Sequence, residues 1–136
     1  MTKSYKKQLF PQKYSKELLK IAEGDLASAK TLFQSSHDGR PENIVFIAQQ
    51  SVEKYIKAVL VHLQIAFPLV HDLGVLVALL PDDKMPPEGF ALMELNPFAS
   101  VRRYHEGEIP LTKEELKVSL DIAQRVAEWA KTSTSK

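Results

Sequence analysis

Apolar residues recur at steps of three and four along most of the chain, which is the spacing of one buried helix face. Three long stretches show this period, at about residues 15–35, 42–64 and 112–131. Their apolar stripes are Leu19, Ala22, Leu26, Ala29 and Phe33 in the first, Val45, Ala48, Val52, Ile56, Val59 and Leu63 in the second, and Leu116, Leu120, Ala123, Ala127 and Ala130 in the third. No long stretch alternates apolar and polar residues in the manner of a strand, so the pattern predicts an all-α fold.

Turn and capping residues set the expected boundaries of these helices. Pro68 is expected to end the second helix, and Asp72 is expected to cap a short helix that follows it. Thr112 and Glu115 have the spacing of a capping box at the start of the last helix. We therefore predict an up-and-down four-helix bundle, with three long helices and one or two short ones.

Composition indicates the size and class of the domain. The chain has 136 residues, of which 44% are hydrophobic and 26% are charged, so it suits one globular domain. We expect a basic N-terminal arm over residues 1–14, the bundle over residues 15–131 and a frayed tail over residues 132–136. Polar residues interrupt the most apolar stretch, so no membrane contact is expected.

Residues that hold metals and cofactors are scarce. Cysteine is absent, and the four histidines lie far apart without the spacing of a ligand motif. There is no glycine-rich phosphate loop, so we predict no metal and no cofactor. A chain without cysteine suits a reducing compartment, and the expected location is the cytoplasm.

The first twenty residues carry an excess of positive charge. They hold six lysines and one acid, Glu17, in a chain whose net charge is +1. Such a run is either a solvated arm or a segment that binds phosphates.

The second predicted helix is apolar on more than one face. Phe46, Ile47 and Val61 fall outside its main stripe. A helix that is apolar nearly all round is buried or faces a partner. The pattern therefore predicts a homodimer or stable hetero-complex through this helix, with a central helix in a monomer as the alternative.

A polar ridge runs beside the apolar stripe of the same helix. Gln49, Glu53 and Lys57 are four residues apart, and Glu53 precedes Lys57 in the order that favours a helical ion pair. The ridge is either solvated or part of a site, and a site needs a second element that faces it. His71 and Asp72 are one candidate for that element, although Asp72 is equally explained as a helix cap.

The segment around residue 103 is the other candidate. Arg102, Arg103, Tyr104 and His105 combine guanidinium forks, a ring that can stack and an imidazole that titrates near neutral pH. Such a cluster suits the phosphate and base of a nucleotide, and it equally suits carboxylates on a partner helix.

Taken in this order, these stretches resemble the HEPN domain family over about residues 15–131. The resemblance rests on Ala-Glu-Gly-Asp-Leu ending at Leu26, Gln-Gln-Ser-Val-Glu-Lys-Tyr-Ile-Lys-Ala ending at Ala58, His71 to Leu73, and Arg103 with Tyr104. It implies a helical bundle that usually forms a homodimer. In toxin–antitoxin-like pairs such proteins accompany a small nucleotidyltransferase, and many members are metal-independent RNases.

The RNase members use an arginine and a histidine that stand further apart than those of this chain. Here two residues separate Arg102 from His105, which argues against cleavage. From the resemblance we expect a non-catalytic nucleotide-binding or interaction module, paired with a small nucleotidyltransferase. The alternatives are a metal-independent RNase that uses Arg102 or Arg103 with His105, and a structural dimerisation module. The residues expected to contact a nucleotide or RNA phosphate are Asp25, Gln50, Glu53, Lys54, Lys57, His71, Asp72, Arg102, Arg103 and Tyr104.

Overall fold

The computed structural model describes residues 6–35, 41–89, 91–92 and 111–135. The elements in chain order are β1 (Lys7–Gln8), α1 (Tyr14–Gln34), α2 (Pro41–His62), β2 (Phe67–Pro68), α3 (Leu73–Val77), a 3₁₀ turn (Asp82–Lys84) and α4 (Lys113–Ser133). The predicted all-α bundle of three long helices and a short one is confirmed. Within the described ranges, no helix is long and apolar enough to cross a membrane.

The three long helices pack side by side, and α2 contacts α1, α3 and α4. Pairs of residues between the helices show their directions. These pairs are Ser15 with Ala58, Asp25 with Lys54, Glu23 with Lys131, and Lys30 with Gln124. Since partner numbers fall as the α1 numbers rise, α2 and α4 are both antiparallel to α1 and run in the same direction as each other.

The apolar excess of α2 is explained by its central position in the bundle. Val61 has no exposed surface and belongs to the core of the chain, so it does not contribute to the apolar surface from which a partner was expected. The homodimer itself stays a prediction. Phe46 and Ile47 are half-buried. Because α1 and α4 both cover α2, this helix has to be apolar in several directions.

α2 ends at His62, six residues before the proline that was expected to end it. Gln64 adopts the left-handed conformation with φ 59°, and its backbone N–H donates to the carbonyl of Val61 at 2.9 Å. The N–H of Ile65 donates to the carbonyl of Leu60 at 2.9 Å, which completes a Schellman motif. The helix therefore ends because Gln64 takes a conformation in which glycine is more common, a signal that Pro68 does not carry.

The predicted caps of α3 and α4 are confirmed. The Asp72 carboxylate accepts from the backbone N–H of Gly74 at 2.9 Å and of Val75 at 3.4 Å. At α4 the Thr112 hydroxyl accepts from the N–H of Glu115 at 3.1 Å, and the Glu115 carboxylate accepts from the N–H of Thr112 at 3.0 Å. Both caps satisfy N–H groups that a helix start leaves without partners.

Residues 7 to 12 are attached to the bundle. β1 pairs antiparallel with β2, and the ring of Phe10 stacks on that of Phe67 with centroids 5.2 Å apart. The side-chain amide of Gln12 donates to the carbonyl of His62 at 2.9 Å. A paired strand and a stacked ring thus hold this segment against the bundle, so it is not frayed, although its residues other than Phe10 are exposed.

Candidate functional site

The polar ridge of α2 meets the segment before α3 in a three-residue cluster. The carboxylate of Glu53 lies 2.9 Å and 3.1 Å from Nδ1 of His71 through its two oxygens. Nζ of Lys57 donates to the same carboxylate at 2.9 Å. The Glu53 side chain is only 4% exposed, whereas that of His71 is 73% exposed. A buried carboxylate thus holds an imidazole that reaches into solvent.

The backbone on both sides of the imidazole is held in place as well. Gln49, which has no exposed surface, donates from its side-chain amide to the carbonyl of His71 at 3.4 Å. Asp72, the next residue, caps α3. His71 is therefore fixed through its main chain from α2 and through its ring by Glu53.

Lys57 is held between Glu53 and an aromatic ring. Its side chain is 12% exposed, and Nζ lies 5.9 Å from the centroid of Phe67, within the range of a cation–π contact. β2 supplies Phe67, so the pairing of β1 with β2 supports the position of this ammonium group.

The interpretation of the ridge as a solvated surface is wrong at Glu53 and Lys57. Burying a carboxylate and an ammonium group costs several kcal/mol per ion, and their attraction repays this only with good hydrogen-bond geometry. An apolar pair of similar volume often gives equal stability at such a position. The buried ion pair is therefore weak evidence for stability, and its carboxylate also holds the ring of His71.

A second ion pair joins α2 to α1. Nζ of Lys54 lies 2.6 Å from the Asp25 carboxylate, and both side chains are about one quarter exposed, at 26% and 28%. Gln50 lies on the same helix and donates to the side chain of Gln49 at 3.3 Å. The expected site residues on α2 therefore divide, with Glu53 and Lys57 facing His71 and Lys54 facing α1.

Tyr55 is buried next to this second pair. It has no exposed surface, and its hydroxyl has no hydrogen-bond partner in the part of the chain that the structure describes. Burial, reinforced by the negative charges of Glu23 and Asp25, raises the pKa of Tyr55 to about 12. The phenol therefore stays protonated at neutral pH.

The geometry gives His71 a defined chemistry. An ionised carboxylate only accepts hydrogen bonds, so Nδ1 carries a proton and points at Glu53. Nε2 then lies on the solvent side, where it accepts a proton or, once protonated, donates to an anion. A carboxylate that fixes the tautomer and orientation of an imidazole is found in both catalytic and ligand-binding histidines.

The remaining expected site residues are not part of the described structure. Arg102, Arg103, Tyr104 and His105 lie in the range 93–110, which is outside it, so their place relative to His71 stays a prediction. Phe67 was not predicted from the sequence as a support of the site. It belongs to a two-residue strand that gives no period, and its contact with Lys57 depends on the fold.

No group of three His, Cys, Asp or Glu side chains is placed to hold a metal ion among the residues described. In comparisons with known proteins, the family model described as HEPN domain matches residues 15–133. No curated protein and no solved structure matches the chain.

Proposed function

Because the chain belongs to the HEPN domain family, we propose that it is a non-catalytic nucleotide-binding module in which His71 contacts a phosphate of the ligand. The observation that carries the proposal is the pair of His71 with buried Glu53. The carboxylate holds the ring while nearly three quarters of the side chain, 73%, stays open to solvent. An imidazole fixed in this way loses little conformational entropy when it binds an anion.

The charges around the cluster also favour an anionic ligand. Lys57 offsets the charge of Glu53 at 2.9 Å, so the carboxylate does not present a full negative charge to an approaching phosphate. When Nε2 is protonated, a hydrogen bond from the imidazolium to a phosphate oxygen is charge-assisted and stronger than a neutral one. Arg102 and Arg103 are the expected second set of phosphate contacts, through their guanidinium forks.

The same proposal includes partners. The family resemblance implies a homodimer and a small nucleotidyltransferase as the second protein of a toxin–antitoxin-like pair. Light scattering tests the first, with a mass twice that of the 15.3 kDa chain as the expected result. Copurification with the product of a neighbouring nucleotidyltransferase reading frame tests the second.

Binding of labelled ATP, followed by fluorescence anisotropy, tests the role of His71. We expect His71→Ala to weaken binding about tenfold or more, since a hydrogen bond to a charged group contributes about 1.5 to 3 kcal/mol. His62→Ala is the matched control, because His62 lies in the last turn of α2 and takes no part in the hydrogen bonds and ion pairs that join Glu53, Lys57 and His71. Equal ATP affinity in the wild type and His71→Ala would contradict the proposal.

The Glu53–His71 pair also favours a second candidate function, acid–base catalysis of metal-independent RNA cleavage. An imidazole oriented by a carboxylate is a competent general base for a 2′-hydroxyl. Incubation of a mixed RNA with the wild type in the presence of a chelator decides between the two. Cleavage that is lost in His71→Ala or His105→Ala and kept in His62→Ala would replace the binding module by the RNase.

A further inference from the structure

The outer edge of β1 is open. Across the described residues, β2 is the one strand that pairs with β1, with Lys7 opposite Pro68 and Gln8 opposite Phe67. Opposite residues of an antiparallel pair alternate between hydrogen-bonded and non-hydrogen-bonded, and proline has no N–H to donate. Lys7 and Pro68 therefore form the non-hydrogen-bonded pair, so the backbone N–H and C=O of Lys7 point away from β2.

Leu9 continues this open edge. Backbone groups two residues apart in an extended chain point the same way, so those of Leu9 follow those of Lys7. The carbonyl of Phe10 turns to the other side, where it accepts from the side-chain amide of Gln64 at 3.0 Å. Within the part of the chain that the structure describes, no hydrogen bond uses the outward groups of Lys7 and Leu9, which we call the β1 edge.

The β1 edge is held in an extended conformation before any partner arrives. The ring of Phe10 stacks between those of Phe67 and Tyr14, with centroids 5.2 Å and 5.3 Å away. Gln12 donates to the carbonyl of His62 at 2.9 Å. A partner therefore does not have to order this segment, which lowers the entropic cost of binding it.

Apolar and cationic side chains surround the β1 edge. Leu9 and Leu69, at 61% and 62%, are the most exposed large apolar side chains among the residues described, and each lies next to one of the two paired strands. Lys6 and Lys7 are exposed, and neither forms an ion pair within the described ranges. The surface thus combines open main-chain groups, apolar side chains and positive charges without acidic partners.

We propose that the β1 edge binds an extended acidic segment of another protein, which adds to the sheet as a third strand. In strand addition, main-chain hydrogen bonds supply affinity and alternate side chains supply specificity. Lys7 and Leu9 are two residues apart and so lie on one face. The segment that fits has an acidic residue opposite Lys7 and, two positions away, an apolar residue opposite Leu9.

The charge of the edge argues against a second copy of this chain as the occupant. Antiparallel pairing of two β1 strands would bring Lys6 and Lys7 close to the same lysines of the other copy. Like charges on paired strands are destabilising, and lysines on an edge strand discourage pairing with neutral strands. An acidic segment converts the same charges into attraction.

The β1 edge also suits a peptide better than a nucleic acid. Phosphate oxygens only accept hydrogen bonds, so a phosphate backbone would leave the outward carbonyls of Lys7 and Leu9 unused. A peptide donates and accepts at each residue, which matches the edge. Apolar side chains of a peptide can also cover Leu9 and Leu69.

A matched pair of peptides tests the main-chain pairing directly. The probe is the labelled peptide Thr-Glu-Thr-Val-Thr-Glu-Thr, blocked at both ends, which has the same order of residues in both directions. Its control carries N-methyl groups on the valine and both glutamates, so it has the same charge and cannot donate from those residues. In fluorescence anisotropy at low salt, we expect the control to bind at least about tenfold more weakly, because several hydrogen bonds are lost.

Two substitutions of Leu9 separate its backbone from its side chain. Leu9→Pro removes the outward N–H at a position where an edge strand tolerates proline, and Leu9→Ala keeps that N–H. Leu9→Pro should bind the probe at least about threefold more weakly than Leu9→Ala. In NMR spectra of the wild type, the amide protons of Lys7 and Leu9 should exchange more slowly with solvent when the probe is present.

A pair of double variants tests the charges. Lys6→Gln with Lys7→Gln should weaken binding of the probe about threefold to tenfold, as expected for exposed ion pairs. Lys113→Gln with Lys117→Gln changes the net charge equally at exposed positions of α4 and should stay within about twofold of the wild type. Circular dichroism checks that all variants keep their helices.

Four outcomes overturn the proposal. Equal binding of the N-methylated peptide, or equal losses in the two lysine doubles, would show that general charge attraction explains the affinity. Equal binding by Leu9→Pro and Leu9→Ala would show that the outward N–H is not used. Slow exchange of the Lys7 and Leu9 amides at high protein concentration without the probe would place a second copy at the edge. Displacement of the probe by an oligouridylate as effectively as by unlabelled probe would indicate a nucleic acid.

Discussion

The energetic role of the buried ion pair can be isolated by a double-mutant cycle on Glu53 and Lys57. Glu53→Leu leaves an ammonium group that is 12% exposed without its carboxylate. Removal of one partner of a buried pair costs about 3 to 5 kcal/mol, and we expect the lower end because the lysine stem can turn its head towards water. Lys57→Met costs less, about 1 to 3 kcal/mol, because His71 still donates to the carboxylate.

The double variant distinguishes this explanation from a simple loss of packing. With both charges replaced by apolar side chains, no uncompensated ion remains, so the double variant costs no more than Glu53→Leu alone. The coupling energy of the cycle is then at least the cost of Lys57→Met, about 1 to 3 kcal/mol. Glu23 and Lys131 supply the matched control, since that pair is 3.8 Å apart, with side chains 66% and 52% exposed, and should couple by less than about 0.5 kcal/mol.

Urea unfolding followed by circular dichroism at 222 nm measures all four free energies of unfolding in each cycle. The slope of the free energy of unfolding against urea concentration has to be the same in all variants for their free energies to be compared. In thermal scans the Glu53→Leu variant should melt roughly 10 °C below the wild type. If the costs of the two single substitutions simply add in the double variant, the buried ion pair is not coupled and the reasoning is refuted.

Three further substitutions test other parts of the fold. Tyr55→Phe removes a buried hydroxyl without a partner in the described residues, so stability at pH 7 should be equal or higher by up to about 1 kcal/mol. Burial raises the pKa of Tyr55 to about 12 in the folded protein, against 10.0 for a free tyrosine, so the wild type should lose stability as the pH rises from 10 to 12. Tyr55→Phe should lose less stability over the same range in alkaline unfolding curves. Gly24→Ala should raise the free energy of unfolding by about 0.5 to 1 kcal/mol, because the added Cβ meets no atom and helical glycine is costly. Gly89→Ala, at φ +51°, is expected to destabilise, and a similar gain at both glycines would contradict this explanation.

The local features of this fold were predictable from sequence, whereas the environments that give the site its chemistry were not. Helical periodicity located the three long helices, and the Thr112 capping box marked the start of α4 because its residues are close in sequence. The Glu53–Lys57 ion pair was predictable for the same reason, because its two residues are four positions apart on one helix. Spacing alone could not show that this pair is buried, because the segments that cover it belong to β2 and to the turn at His71.

Two errors have the same physical origin. Val61 was counted towards a partner surface because it lies outside the main apolar stripe of α2, but the number of helices that pack around α2 is a tertiary property. The end of α2 was predicted near residue 64 and attributed to Pro68, whereas the helix ends at His62 because Gln64 takes a left-handed backbone conformation that its residue type does not indicate. The burial of Val61 and the end of α2 both depend on what packs around this helix, so hydrophobic periodicity could not predict them.

The stacking of Phe10 on Phe67 places one support of the candidate site outside the range that the family model matches. The family match spans residues 15–133, and a chain trimmed to that range would retain all four helices. It would lose β1 and the ring that stacks on Phe67, which in turn lies beneath the ammonium group of Lys57. A trimmed protein with native helicity would thus be a poor substitute in binding experiments, since it would lack the ring that supports Phe67 beneath Lys57, the ion-pair partner of Glu53.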